Sequence, residues 1–215
     1  MAKFAKLLAM CNEFALEQNL EELTALFAGT PELPLFGWEG GLLPNDTAGR
    51  ASIRISDVSP VVRLAGGALS GSMLPWAWKG PNGAPVFNYR TEARDFSGAD
   101  RVLVPASGFY EYTRPKMPEV KLKDRHLFTM AGQSWFWMAG LVRGGAFSLL
   151  TAEPGSDVAP YHSRGIIPLE PVAGLDWLTL SRSQDELFRP PISGTLIAMS
   201  LRRDGVDTFS QDIQR

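Results

Sequence analysis

Arg101-Val-Leu-Val-Pro-Ala-Ser-Gly-Phe-Tyr-Glu111-Tyr-Thr113 is the stretch on which the fold class turns. Arg101 to Val104 is a short apolar run, and Gly108 to Thr113 alternates around Phe109, Tyr110 and Tyr112; both have the composition of β-strands. Working outward, similar runs lie upstream at Ser52 to Ile55, Val61 to Arg63 and Pro85 to Tyr89. Downstream they recur at Leu127 to Met130, Trp135 to Val142 and Ala146 to Thr151, separated by Gly, Pro, Asn and Asp clusters. Nearer the start, Leu16, Leu20, Leu23 and Leu26 recur at helical spacing, with Glu17, Gln18, Glu21 and Glu22 between them. That spacing predicts an amphipathic helix from about Leu16 to Phe27, stopped by Gly29 and Pro31. Residues 30–45 read as loop, Leu175 to Leu180 and Ser183 to Phe188 as two short helices, and Thr195 to Met199 as a last strand. Strands without regularly alternating helices favour an antiparallel, barrel-like α+β fold over a doubly wound parallel sheet. No internal repeat or low-complexity tract is present.

Composition narrows the function classes. One domain is expected from 215 residues that are 45% hydrophobic and 20% charged. No apolar run approaches the roughly 20 residues of a membrane-spanning helix, so a soluble protein without a membrane partner is expected. Residues 1–10 carry two lysines but neither a long apolar stretch nor an export cleavage signature, which predicts a cytoplasmic location. Cys11 is the single cysteine and excludes an internal disulfide. With only His126 and His162 beside it, a cysteine/histidine zinc cluster is not expected, and no other cofactor is implied. The net charge of -2 draws no polyanion to the whole chain, so any nucleic-acid contact must come from a local patch. Lys79, Arg90, Arg94 and Arg101 gather in one stretch, diluted only by Glu92, Asp95 and Asp100.

Four segments offer reactive or polar side chains in apolar or glycine-bounded settings: Met10-Cys11-Asn12, Phe87-Asn88-Tyr89-Arg90-Thr91-Glu92, Gly108-Phe109-Tyr110-Glu111-Tyr112 and Ala159-Pro160-Tyr161-His162-Ser163-Arg164. Alternation points Tyr110 and Tyr112 to one face of a strand and Phe109 and Glu111 to the other. A carboxyl on the face of Phe109 is partly buried, and burial suits it to proton transfer near neutral pH. The plainer alternative pairs Glu111 with Arg90 or Arg101. His162, on a loop before an apolar run, is equally a general acid or base or a turn cap. His126, beside Asp124 and Arg125, reads as a solvated strand start. Asn88 either orients a substrate or forms a turn. Trp76 and Trp78 with Lys79 either stack on unpaired bases or pack in the core beside Pro75.

Together these segments resemble the SOS-response-associated peptidase family, which includes the abasic-site shield proteins of bacteria and eukaryotes. The resemblance runs in the family's order from Met10-Cys11 to about Leu169. It is carried by Asn88-Tyr-Arg90-Thr-Glu92, by Arg101 through Glu111, and by His162-Ser-Arg164-Gly-Ile-Ile-Pro168. Where the family commonly begins Met-Cys-Gly-Arg, Asn12 and Glu13 follow the cysteine, which removes a basic contact beside it. Leu69-Ser-Gly-Ser72 stands in place of the usual Trp-Gly pair, and Ser163 in place of an acidic residue.

The resemblance implies a single α+β domain over 11–215, built on an open, mainly antiparallel β-barrel with short peripheral helices. It implies a groove for single-stranded DNA and covalent capture of abasic sites by a cysteine at the mature amino terminus. Cys11, Asn88, Glu111 and His162 fall on the family's active-site positions. Arg90, Arg94 and Arg164 are then candidates to meet phosphates, with Trp76 or Trp78 supporting bases. Ten residues precede Cys11 and would hold its amine as an amide. Translation from Met10 is the expected resolution, with self-cleavage of residues 1–10 by the peptidase activity as the other. Two rival readings are kept: a thiol peptidase in which His162 activates Cys11 and Asn88 orients it, and a non-covalent single-strand-binding module. A monomer is expected, nucleoid-associated when bound to DNA.

Overall fold

The structure is a computed structural model that describes residues 11–116 and 119–201. The chain opens with β1 (Glu13–Leu16), α1 (Leu20–Ala28) and β2 (Phe36–Trp38). It continues through β3 (Arg50–Arg54), β4 (Val58–Ala65), β5 (Ala68–Pro75), β6 (Trp78–Lys79), β7 (Pro85–Val86) and β8 (Asn88–Arg90). The middle consists of β9 (Arg101–Ala106), β10 (Gly108–Thr113), β11 (Asp124–Met130), β12 (Phe136–Arg143) and β13 (Ala146–Ala152). The last elements are β14 (Gly165–Ile166), β15 (Pro168–Leu169), α2 (Gly174–Thr179), α3 (Gln184–Leu187) and β16 (Leu196–Leu201).

These strands form a five-stranded sheet in the order β16-β11-β10-β1-β3 and a nine-stranded sheet with the path β14-β13-β12-β9-β4-β5-β2. Strand β15 joins the second sheet on β12 and β8 joins it on β13, while β6 and β7 make a separate ribbon. Both sheets are open, and among the described residues no closed barrel forms; the fold is mainly β with few helices around one core. Pairing is antiparallel except for β8 on β13 and β2 on β5. Two-residue Gly-Gly turns close the β4–β5 and β12–β13 hairpins. Gly66 and Gly67 (φ 59° and 81°) and Gly144 and Gly145 (φ 57° and 77°) take the left-handed conformations that such tight turns demand.

The facing sides of the sheets meet through aromatic rings. Phe14 and Phe109 of the first sheet share a face because Cα partners Phe14↔Phe109 stand side by side in register. Phe109 stacks on Phe128 at 5.1 Å, and Phe14 meets Trp76 edge-on at 5.1 Å. Trp76 in turn stacks on Phe147 of β13. Such pairs add roughly 0.5–1.5 kcal/mol beyond their buried area. Helix α1 closes one end with Leu20, Leu23 and Phe27 buried, Phe27 lying 4.8 Å from Trp137.

The helix is shorter than its leucine spacing predicts. Asn19 accepts from the Glu22 amide while the Glu22 side chain accepts from the Asn19 amide, a capping box that fixes the start at Leu20. Leu16 instead ends a wholly buried strand, β1. Inside the stretch expected to be loop, Phe36 and Trp38 form a short strand beside β5. Their rings occupy the space above Gly71, where an added Cβ would stand 2.7 Å from Phe36 and 2.8 Å from Trp38. The segment that replaces the family's Trp-Gly pair is thus backed by aromatic rings arriving from another strand. Gly71→Ala is accordingly expected to cost about 1–3 kcal/mol through overpacking, read as a fall of about 2–4 °C in Tm per kcal/mol in thermal unfolding.

Candidate active site

Cys11 lies at the seam between the two sheets and is tied to both by its main chain. Its nitrogen donates to Glu111 Oε1 of β10 at 3.1 Å, and its carbonyl accepts from Asn88 Nδ2 of β8 at 2.9 Å. The structure therefore brings three of the four expected residues together across 77 and 100 positions of sequence. Each is placed by register: Asn88 sits opposite Leu149 at the start of β8, and Glu111 opposite His126 on β11.

Glu111 is 1% exposed. Burial pushes its carboxyl up to about 8, against the smaller opposing effects of the Cys11 N–H bond and the charge of Lys123. The plainer pairing with Arg90 or Arg101 does not occur; Arg101 donates instead to Phe96, Ser97 and Leu178 carbonyls. Burial also raises the Cys11 thiol well above its ordinary value, aided by the negative charge of Glu111. That sulfur lies 3.5 Å from the Glu13 carbonyl. Among the described residues two buried oxygens, Asn88 Oδ1 and Glu111 Oε2, have no partner. Uncompensated polar atoms of this kind cost about 1–3 kcal/mol each, and their place beside Cys11 marks a site built for something other than stability.

His162 is hydrogen-bonded within its own loop. It sits half-buried between β13 and β14, where its Nδ1 accepts the Arg164 amide at 3.1 Å. None of its hydrogen bonds reaches Cys11, Asn88 or Glu111. The neighbouring Tyr161 ring packs 4.6 Å from His126 and 5.1 Å from Phe128, which anchors the loop to β11. His126 itself is 5% exposed, with its ring nitrogens 2.8 Å from Thr113 Oγ1 and 2.7 Å from Ser200 Oγ. It is a buried residue facing Glu111 across the ladder, which corrects its reading as a solvated strand start.

The expected DNA contacts fare differently from one another. Trp76 is fully buried and donates to the Phe87 carbonyl; Trp78 is 5% exposed and packs against Tyr89. Neither offers a free ring face, so the base-stacking expectation is corrected to core packing. Arg164 is committed to Glu92 and to the Thr151 carbonyl, and Arg94 lies over the Tyr89 ring while donating to its hydroxyl at 2.6 Å. Arg90 is exposed at the end of β8.

One cluster has no forerunner in the sequence motifs. Glu13, 2% exposed, accepts from Ser52 at 2.5 Å, from Arg125 at 2.7 Å and from Tyr112, with Arg54 at 3.6 Å. Burial alone would raise this carboxyl, but the bonds from Ser52 and Tyr112 and the charges of Arg125 and Arg54 hold it below its ordinary value. The position that lacks the family's arginine thus gathers two arginines around a carboxylate. No signal in the sequence links residues so far apart.

A model of the SOS response associated peptidase (SRAP) family matches residues 10–202. The chain belongs to this family. Membership supports a role associated with DNA damage. The SRAP chain is also similar to a phage-related protein from Bordetella bronchiseptica, with TM-score 0.65, 19% identity, and coverage of 94% of this chain and 99% of that one. A protein from Bacteroides thetaiotaomicron gives TM-score 0.63 and 15% identity over 90% and 93% of the two chains. A second Bordetella bronchiseptica protein gives 0.60 and 19% over 89% and 100%. At these identities the likeness shows the fold. No curated protein matches the chain. Residues 1–10, and with them the expected start at Met10, lie outside the described residues. Among the described residues no helix is long and apolar enough to cross a membrane.

Proposed function

We propose that this SRAP protein captures abasic sites in single-stranded DNA through Cys11, acting with its nitrogen free. The observation that carries the reading is the contact between the Cys11 main-chain nitrogen and a buried carboxyl group tuned to about 8. Burial raises this carboxyl towards the range of an α-amine, about 7.7–8.0, which suits it to exchange a proton with the amine once the nitrogen is free. In the reaction the amine adds to the ring-opened sugar aldehyde, water leaves, and an imine forms. The sulfur then adds across the carbon–nitrogen double bond and its proton moves to nitrogen, closing a five-membered thiazolidine. Glu111 takes the proton from the attacking amine and returns it to the departing hydroxyl. Asn88 fixes the Cys11 carbonyl so that both reacting atoms keep their places. His162 assists opening of the sugar ring, and Arg90 and Arg94 meet flanking phosphates, while Arg164 supports the wall that carries them.

Autocatalytic removal of residues 1–10 belongs to this proposal as the alternative to translation from Met10. Peptidase action on other chains is less favoured, because the buried Cys11 thiol is raised and makes no hydrogen bond to His162. The direct test mixes the protein with a single-stranded oligonucleotide whose one uracil has been excised. A band that survives denaturant is expected with that oligonucleotide and absent with the intact one. Salt-sensitive binding that ignores the lesion would leave only a single-strand-binding module.

A further inference from the structure

The loop of residues 153–164 joins β13 to β14 of the larger sheet, yet it is fastened to the smaller sheet at two places. Asp157 accepts from the main-chain nitrogens of Gly194 and Leu196, at 2.9 and 3.0 Å, where β16 begins. Tyr161 lays its ring against His126, with centroids 4.6 Å apart, and meets Phe128 edge-on at 5.1 Å. Between these points the chain is wound into a tight turn. The Tyr161 and His162 nitrogens both donate to the Val158 carbonyl, at 2.9 and 3.0 Å, and Val158 is buried. The same turn carries His162, so whatever fixes Tyr161 fixes its neighbour. The residue under the Tyr161 ring is itself rigidly placed. On β11, His126 stands directly opposite Glu111 of β10 and Ser200 of β16, and residues opposed in this way share a face of the sheet. Hydroxyls hold both of its ring nitrogens, Thr113 Oγ1 at 2.8 Å and Ser200 Oγ at 2.7 Å, so the imidazole plane is set from two sides.

We propose that His126 is a positioning residue for proton transfer: with Tyr161 it seats the loop that carries His162 on the rung of the sheet that carries Glu111. The inference rests on the proposed function, in which Glu111 and His162 both move protons, and adds the device that keeps them in one site. With Nδ1 accepting the Arg164 amide, neutral His162 carries its proton on Nε2, and this is the nitrogen that the docked turn has to aim. An acid or base contributes only within hydrogen-bond reach of the proton it moves, about 2.6–3.2 Å. A loop that belongs to one sheet and serves a carboxyl on the other needs a fixed contact across the seam, and the Tyr161–His126 pair supplies it. His126 and Tyr161 thus act through the two groups they join rather than on the sugar.

The test compares the wild-type protein with Tyr161→Ala, Tyr161→Phe and His126→Leu, each made alone and together with His162→Ala. Amide hydrogen exchange at residues 161 and 162 reads the seating of the turn; the denaturant-resistant band with an abasic oligonucleotide reads the chemistry. Tyr161 is only partly buried, so its truncation leaves the core intact. Tyr161→Ala should speed exchange of both amides about tenfold and lower the limiting crosslinking rate about tenfold, within the hundredfold or more that a positioned acid–base group contributes. The half-saturating oligonucleotide concentration should stay. Tyr161→Phe keeps the ring and should restore exchange and rate together. Where His162 is already alanine, Tyr161→Ala should cost no further rate, because the ring acts through His162. His126→Leu should follow the same pattern, and where it does not fold the Tyr161 variants decide. Wild-type exchange and rate in Tyr161→Ala overturn the proposal, and so does an equal loss of rate in the His162→Ala background. A wild-type protein that forms no crosslink, while Tyr161→Ala still loosens the turn, overturns the Cys11 reading and leaves the seating of the loop standing.

Discussion

Cys11→Ala is expected to leave no denaturant-resistant crosslink with abasic single-stranded DNA, while an imine is still trapped by borohydride. The alanine variant keeps a primary amine when its terminus is free, so the aldehyde still condenses with it. Without sulfur no ring closes, and the imine returns to aldehyde in water. Cys11 is 1% exposed and behaves in the core as a small hydrophobe, so the substitution leaves the fold intact. The raised thiol does not argue against its role. Ring closure is intramolecular, and effective molarities of about 10⁵ M or more compensate for a small thiolate fraction. Retaining residue 10 in an uncleavable form is expected to abolish both products. An amide nitrogen shares its lone pair with its carbonyl and cannot form the imine. A crosslink from the blocked form of the wild-type chain would remove the amine from the mechanism.

What is legible in the sequence follows from local rules. Strand β10 can be read residue by residue, because alternation from Phe109 to Tyr112 has one solution when one face is a core, and it places Glu111 inside. Strand β5 cannot: Leu69-Ser-Gly-Ser72 has no apolar rhythm, and its strand is made by the Gly66-Gly67 turn and by pairing with β4. The start of α1 differs from its leucine spacing because that spacing persists across Asn19, whereas the capping box that ends β1 and begins the helix is a more local signal. The tryptophans and His126 depart from expectation for a shared reason. Their burial comes from residues remote in sequence: Phe14 and Phe147 against Trp76, and Thr113, Ser200 and Tyr161 around His126. The site is half legible. Motif order brings Cys11, Asn88 and Glu111 to the same place, but the arginines around Glu13 depend on β1, β3 and β11 belonging to one sheet.

Glu111→Gln is expected to slow crosslink formation by about a hundredfold or more, the usual contribution of a positioned acid–base group, and to make the folded protein more stable near pH 8. The second effect follows from the first cause. The carboxyl is raised from an ordinary value of 4.5 to about 8 in the folded chain by burial. Below pH 4.5 the folded and unfolded chains both hold the proton, and burial of the neutral acid carries no ionisation penalty. As pH rises toward 8 the unfolded chain releases its proton and the folded chain does not, so stability drains across that window and levels off above it. Each pH unit is worth about 1.4 kcal/mol, so the difference grows to a few kcal/mol. Glutamine keeps the acceptor for the Cys11 nitrogen but has no proton to lose. Thermal unfolding should therefore give the variant a Tm close to wild type at pH 4.5 and about 5–10 °C higher at pH 8. When the Cys11 nitrogen is a free ammonium, its charge favours the Glu111 carboxylate and the gap should narrow. A variant that is slower but equally stable at both pH values would mean that Glu111 titrates normally and that proton exchange with the amine is not its role.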